Sequence, residues 1–326
     1  MPWFDIFFLN LSTKLAADSS YFFLLLYICA VYRKVSMITA RCRKDCIMKK
    51  TLYVSDLDGT LLDRDSWLSD ETIAILNELI DSGNVNFTIA TARTPATVVE
   101  IMEPLKLRLP LVVMNGAATW DNEARRFVSA STMNAETVRK VCGIFEDYGL
   151  RPLVYRKAGD RIAVHHYGDL SSQEEYFVSE RENLELKDLF LNDINYKDTS
   201  DDALLIFAMN EYLLLKSIHN KVVKGCDCSS VCYHDIFDVS SGLMETYAPG
   251  TSKAVAVQKL AREIGAERIV VFGDNRNDIP MMQIADYAVA PENAVEEVKA
   301  VANEIIEPNY MHSVAHFIRR DCECGK

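Results

Sequence analysis

Asp56 and Asp58 stand one residue apart in Asp56-Leu57-Asp58-Gly59-Thr60, just after the short apolar run Thr51-Leu52-Tyr53-Val54. An apolar run that ends in a glycine-containing turn reads as a buried strand delivering two carboxylates onto a tight turn. Carboxylates this close repel each other unless a cation or a shared proton compensates. A carboxylate nucleophile, a second carboxyl for proton transfer and a divalent cation together make phosphoryl transfer possible. By itself, a D-x-D spacing more often marks an acidic surface turn, so the rest of the chain must decide.

Three further spots carry reactive groups at expected strand ends or helix starts. Thr91, with Arg93, follows the short strand Phe87-Thr88-Ile89-Ala90. Lys253 opens a helix after Pro249-Gly250-Thr251-Ser252. Gly273-Asp274-Asn275-Arg276-Asn277-Asp278 follows the apolar strand Arg268 to Phe272. Each alone is ordinary, since a Thr after a strand caps helices, a first-turn Lys is solvated, and Asp274 and Asp278 suit a turn and an N-cap. Together they supply carboxylates for a cation, a hydroxyl and an ammonium for a phosphate.

The elements that must position them alternate in type. A helical apolar period runs from Ser69 to Ser82 and stops at Gly83, Pro95 suits the first turn of a helix, and Leu111 to Met114 reads as a third strand. This β-α-β-α-β order implies an α/β fold with a parallel sheet covered by helices. From about Ala117 to Tyr247 the pattern changes. Arg151–Tyr155 and Arg161–His166 flank Gly159-Asp160 as a hairpin. Helices are expected over 171–183 and 211–224, and strands over 203–209, 231–236 and 243–247. Parallel-sheet character returns with a helix from Lys253 to Ile264, stopped by Gly265, and strands at 268–272, 287–290 and 304–306. The simplest architecture is one sheet domain interrupted by a second, mixed α/β domain. In open parallel sheets, functional groups gather beyond the carboxyl ends of the strands.

The 326 residues suffice for roughly two domains. With 49% hydrophobic and 25% charged residues, the balance is that of a globular chain able to bury a core. A net charge of −12 argues against a general nucleic-acid binder, which needs a basic surface. Phosphate esters would need local relief from that charge, through a bound cation and placed Lys and Arg. The nine cysteines include no C-x-x-C pair, which favours free thiols over zinc, also for Cys226, Cys228 and Cys232.

Residues 1–47 differ from the rest. Tyr21 to Tyr32 is an apolar and aromatic run followed by Arg33, Lys34, Arg41, Arg43 and Lys44. It is short for a spanning helix, which wants about 20 apolar residues. No basic start or cleavage site marks a secretory signal. The basic flank fits a short anchor with the following domain in the cytoplasm. The favoured expectation is a start at Met48, leading straight into the first strand, with membrane association confined to 1–47 as the second.

Taken together, the four spots resemble, in order, the four motifs of the haloacid dehalogenase-like phosphatases, specifically the Cof-type subfamily with a large α/β (C2B-type) cap. The resemblance covers about residues 48–320. Asp56-Leu57-Asp58-Gly59-Thr60 is similar to the first motif, Thr91 with Arg93 to the second, Lys253 to the third and Gly273 to Asp278 to the fourth. Asn115-Gly116-Ala117 resembles the segment leading into the cap. Two departures bear on substrate fit: Ala92 stands where glycine is usual, and Pro291-Glu292-Asn293-Ala294 replaces a Met-Gly-Asn-Ala stretch.

The resemblance implies a Rossmann-like catalytic core of residues 48–116 and 249–320, a cap of residues 117–248 and a tail at 321–326. It implies a cytoplasmic phosphatase of small phosphomonoesters, such as a sugar phosphate, a nucleotide or a cofactor phosphate. Asp56 would be the nucleophile that forms an aspartyl-phosphate, and Asp58 the acid and base. Thr91 and Lys253 would hold the phosphate. Mg²⁺ would be bound by Asp56, the Asp58 carbonyl and Asp274, with Asp278 either a ligand or the orienter of Lys253. Arg93, Asn115 and Asn277 are supporting or substrate-contacting candidates, and Arg156, Lys157, His165 and His166 are candidates in the cap. Three rivals remain at this point: a phosphomutase using the same aspartates, a non-catalytic phosphate-ligand sensor, and a membrane-anchored scaffold resting on residues 1–47. Oligomeric state is open.

Overall fold

The computed structural model describes residues 50–83, 85–234 and 240–324, of which Lys50–Glu323 form one compact unit. The expected extension 1–47, the start at Met48 and the end of the strand expected to reach Ile236 lie outside the described residues.

The chain runs β1 (Thr51–Ser55), α1 (Asp70–Asp81), β2 (Asn86–Ile89), α2 (Pro95–Met102), β3 (Leu111–Val113), β4 (Ala118–Asp121), β5 (Arg126–Ala130) and α3 (Ala135–Glu146). It continues through β6 (Leu153–Ala158), β7 (Arg161–His165), α4 (Ser172–Ser179), β8 (Lys187–Phe190), β9 (Ala203–Glu211), α5 (Tyr212–Gly225), β10 (Ser229–His234) and β11 (Ser241–Tyr247). It closes with α6 (Lys253–Ile264), β12 (Arg268–Phe272), α7 (Ile279–Gln283), β13 (Tyr287–Pro291), α8 (Glu296–Lys299), β14 (Glu304–Ile306) and α9 (Ser313–Cys324).

Five strands form a wholly parallel sheet in the order β14-β13-β12-β1-β2. Every residue of β1 is buried, as a strand covered on both faces requires. Its two faces feed different apolar clusters: Tyr53 packs with Leu76, Phe87 and Phe272, and Leu52 and Val54 with Val257, Val271 and Met281. The chain leaves β1 for β2 on one side and returns to β12 on the other, so a crevice opens at the carboxyl end of β1. The expected α/β fold, a parallel core interrupted by a mixed insert, is therefore the observed one.

The insert is built on a six-stranded sheet, β10-β11-β9-β6-β7-β8, antiparallel except where β7 meets β8. The Gly159-Asp160 hairpin joins β6 and β7 as expected. The third sheet, β3-β4-β5, is antiparallel and sits on the strand that leaves the core. Sequence reading missed β4, β5, α3 and β8, whose mixed polar composition hides their period. Helix α9 runs to Cys324, so the first residues of the expected tail 321–326 are helical. Asp321 in its last turn accepts hydrogen bonds from Tyr53 Oη (2.7 Å) and Arg268 Nη1 (2.5 Å).

Cys226, Cys228 and Cys232 are free and packed against the apolar cluster beneath α3 and α5; burial pushes all three thiols up. No helix among the described residues is long and apolar enough to cross a membrane.

Helix α3 depends on its cap. Asn134 accepts a hydrogen bond from the Thr137 amide (2.8 Å), one of the amides a helix start leaves unpaired. Asn134→Ala is expected to remove about 1 kcal/mol of stability, read as a lower urea midpoint, with hydrolytic activity unchanged.

Candidate active site

All four reactive spots lie along the carboxyl edge of the parallel sheet, three of them carried by backbone hydrogen-bonded strand ends and Lys253 joined through its side chain. The Asp56 amide donates to the Phe272 carbonyl at the end of β12 (2.9 Å). The Thr91 amide donates to Val112 (2.9 Å) and the Asn115 amide to Thr91 (3.0 Å), so the ends of β2 and β3 are linked in turn. The turn after Asp56 closes through Gly59, whose φ of 74° is in the left-handed region. A Cβ there would lie 2.4 Å from Asp274 Oδ2, so only glycine lets the turn lie against that carboxylate. Thr60 Oγ1 then donates to Asp274 Oδ1 (2.9 Å), and Asn293 Nδ2 holds the Gly59 carbonyl (2.7 Å).

Lys253 sits at the first position of α6, whose N-cap is Ser252. A second close approach places it: at Gly116, with a φ of 90°, a Cβ would fall 2.3 Å from the Ser252 carbonyl. The Lys253 ammonium donates to Asp56 Oδ1 (2.5 Å) and Asp278 Oδ1 (2.7 Å), and all three side chains are almost wholly buried. Burial alone would lower the Lys253 pKa, but Asp278 and Asp56 outweigh it and hold the ammonium well above its usual value. Asp278 Oδ2 accepts from the amides of Asp274 and Asn275 (both 3.1 Å), which shapes the loop that carries Asp274.

Oxygens of Asp56, Asp274 and Asp278 lie within 4.8 Å of one another, and among the described residues this is the one group able to hold a metal ion. Burial, then Asp278, push Asp274 up to about 6. Burial, Asp278 and Asp274 raise Asp56 against the opposing pull of Lys253. Both shifts come first from burial and then from the neighbouring carboxylates. An all-oxygen donor set of this kind suits a hard divalent cation.

The remaining candidates divide. Thr91 is buried, and its Oγ1 accepts from the Arg93 amide (3.1 Å). The Asp58 carboxylate is half exposed and grips Arg93 in a two-pronged pair (2.8 and 2.6 Å). Asn115 adopts a left-handed φ of 51° and donates to Glu245 Oε2 (2.8 Å) and Tyr247 Oη (3.2 Å) of β11. Asn277 is exposed and has no described contact with the acids. The four cap candidates are elsewhere. Arg156 donates to the carbonyls of Tyr196 and Asp198, Lys157 to that of Gly159, His165 pairs with Asp193, and His166 is buried. Glu245 was missed by sequence reading, although an acid inside the apolar strand Leu243 to Tyr247 was a signal; burial raises its pKa. Asn293 was noted only within the stretch Pro291 to Ala294, yet its side chain braces the turn after Asp56 through the Gly59 carbonyl.

An α/β sheet with acids, an ammonium and a hydroxyl gathered at its switch point defines a phosphoryl-transfer type of site. A family profile described as haloacid dehalogenase-like hydrolase matches residues 53–318, and the chain belongs to that family. The 5-amino-6-(5-phospho-D-ribitylamino)uracil phosphatase YitU of Bacillus subtilis is 27% identical, over 83% of this chain and 97% of its own. The pyridoxal phosphate phosphatase YbhA of Escherichia coli is also 27% identical, over 83% of this chain and 98% of its own. Among solved structures, the phosphatase BT1666 of Bacteroides thetaiotaomicron superposes with a TM-score of 0.67 at 20% identity, covering 85% of this chain and 96% of that one. The expectation of a Cof-type hydrolase from the motifs is thus met.

A pH dependence follows from Asp274. Its folded pKa, about 6, exceeds the unfolded value near 3.8, so its contribution favours folding below about pH 4 and is lost as pH rises through 6. In chelator, Asp274→Asn is expected to match the parent's melting temperature at pH 4 and to exceed it at pH 7. Added Mg²⁺ should narrow the pH 7 gap by stabilising the parent. Equal melting temperatures at both pH values in chelator would contradict the electrostatic reading.

Proposed function

We propose that the protein is a Mg²⁺-dependent phosphatase that hydrolyses small phosphomonoesters through an aspartyl-phosphate on Asp56. The observation that carries this reading is the buried placement of Asp56 on Lys253, with Asp274 close enough to share a cation. Asp56 Oδ2 is free to attack phosphorus, because Lys253 engages Oδ1. A bound Mg²⁺ supplies charge neutralisation for the ester and the acids.

In the first half-reaction an Asp56 oxygen bonds to phosphorus, the bond from phosphorus to the ester oxygen breaks, and Asp58 gives its proton to the leaving alcohol. In the second, Asp58 takes a proton from water as its oxygen attacks the same phosphorus. The Asp56 bond breaks and inorganic phosphate leaves. Asp58 must release Arg93 to reach the leaving oxygen, so substrate entry has to exchange that pair. Thr91 and Lys253 hold the phosphate oxygens and the charge that develops on them. Asp278, with both oxygens engaged by Lys253 and two amides, acts by orienting Lys253 and the Asp274 loop. The insert, residues 117–248, serves as a cap over the sheet edge.

YitU and YbhA are named for phosphate esters of ring-bearing metabolites, which supports a small phosphorylated metabolite as the substrate here. Asp56→Asn is expected to lower Mg²⁺-dependent phosphate release at least about 10³-fold while the folded circular-dichroism spectrum is kept. Undiminished turnover would remove Asp56 as nucleophile. Free phosphate as product, with no isomerised ester, is the outcome that separates a phosphatase from a mutase.

A further inference from the structure

A cavity of about 340 Å³ opens beside Asp58 and Arg93, with Phe177, Arg181, Lys187 and Phe207 of the insert on its far side. Its two insert cations are unusual. Lys187, in β8, is 6% exposed, and its Nζ stands 5.5 Å from the centre of the Tyr155 ring. Arg181 lies over the Phe177 ring at 4.0 Å and donates to the Phe177 carbonyl (3.0 Å). Among the described residues, neither forms a salt bridge. The neighbouring acid Asp188 is spent on Arg161 (2.7 Å) on the other face of the strand. Burial, and then the charge of Arg181, press the Lys187 amine down to about 8. Arg181 in turn feels Arg93 across the cavity. Buried charges are ordinarily paired, because desolvation without a partner is costly. The two carboxylates that line the cavity are engaged elsewhere, Asp58 by Arg93 and Glu245 by Asn115 and Tyr247, and Glu180 acts on Arg181 without forming an ion pair.

The cavity wall is aromatic. Phe177 and Phe207 stack with ring centroids 4.9 Å apart, and Tyr155 meets Phe207 edge-on at 6.3 Å. A planar ring finds favourable faces there. The volume is at the small end of ligand pockets, room for one ring and its substituents.

We propose that this cavity is a leaving-group subsite that selects phosphomonoesters bearing a planar ring and, away from the phosphate, a second anionic oxygen that Lys187 and Arg181 neutralise. The assignment rests on the phosphatase reading above and adds the substrate class to it. The anion completes the pairing the protein leaves open, and the ring lies against Phe177 and Phe207. The phosphate end points past Asp58 toward the sheet edge.

The test uses the full chain with Mg²⁺ and matched esters: phenyl phosphate against 4-carboxyphenyl phosphate, and glycerol 3-phosphate against 3-phosphoglycerate. For the parent, kcat/KM is expected to favour the carboxylated aryl ester by roughly tenfold or more, the size of a hydrogen bond between charged groups. The aliphatic pair is expected to show a smaller preference. In Lys187→Met, and independently in Arg181→Met, the aryl preference should shrink toward one. Calorimetric binding of 4-(phosphonomethyl)benzoate against benzylphosphonate gives the same ratio without turnover. If neither aryl ester is hydrolysed, the phosphatase reading fails, while the binding ratio still decides the subsite. Equal binding of the two phosphonates by the parent, or a ratio unchanged in both variants, would overturn the subsite. An equal preference in the aliphatic pair would remove the ring from it.

Discussion

The ammonium of Lys253, buried between Asp56 and Asp278, is the interaction on which the site depends. Two carboxylates could not be desolvated side by side without it, and a buried lysine could not stay charged without them. Removing one member of such a set typically costs about 3–5 kcal/mol, because the others are left buried and unpaired. The fold converts this electrostatic bond into position. Asp56 is fixed by β1, Lys253 by the first turn of α6 and Asp278 by the turn after β12, so one cation draws three segments distant in sequence onto one edge.

Beside that bond stands a third carboxylate, Asp274. Asp274 is held against Gly59 by a contact that tolerates no side chain, and burial, then the charge of Asp278, raises its pKa. A divalent cation is the natural relief, and a phosphate ester needs that same cation. Asp56, Lys253, Asp278 and Asp274 are thus one electrostatic system. Beyond it, Asp58 and Arg93 form a more exposed and more exchangeable pair, at the border between the sheet edge and the cavity under the insert.

Much of this was legible in the sequence because the residues concerned sit where local rules are strongest. β1 and β12 are continuous apolar runs, the N-cap Ser252 and the stop at Gly265 bound α6, and the acids directly follow those strands while Lys253 opens that helix. The core sheet and its edge could therefore be read in one dimension. The insert could not. β4, β5 and β8 are short and mixed in polarity, and their side chains are sorted by partners far away in the chain. Arg181 and Lys187 look like any surface cations in sequence, and only the assembled sheet shows that Lys187 is buried and that neither forms a salt bridge among the described residues. The same holds for Glu245, which meets Asn115 across 130 positions.

The central claim is covalent attack by Asp56, and the most direct measurement is chemical trapping during turnover. The enzyme is quenched with borohydride while hydrolysing an aryl phosphate in Mg²⁺, which reduces an acyl phosphate to the alcohol, and its peptides are read by mass spectrometry. The account predicts homoserine at position 56, dependent on substrate and absent when the chain is treated alone. Rapid phosphate release with position 56 left as unmodified aspartate, or with homoserine at another acid, would contradict it.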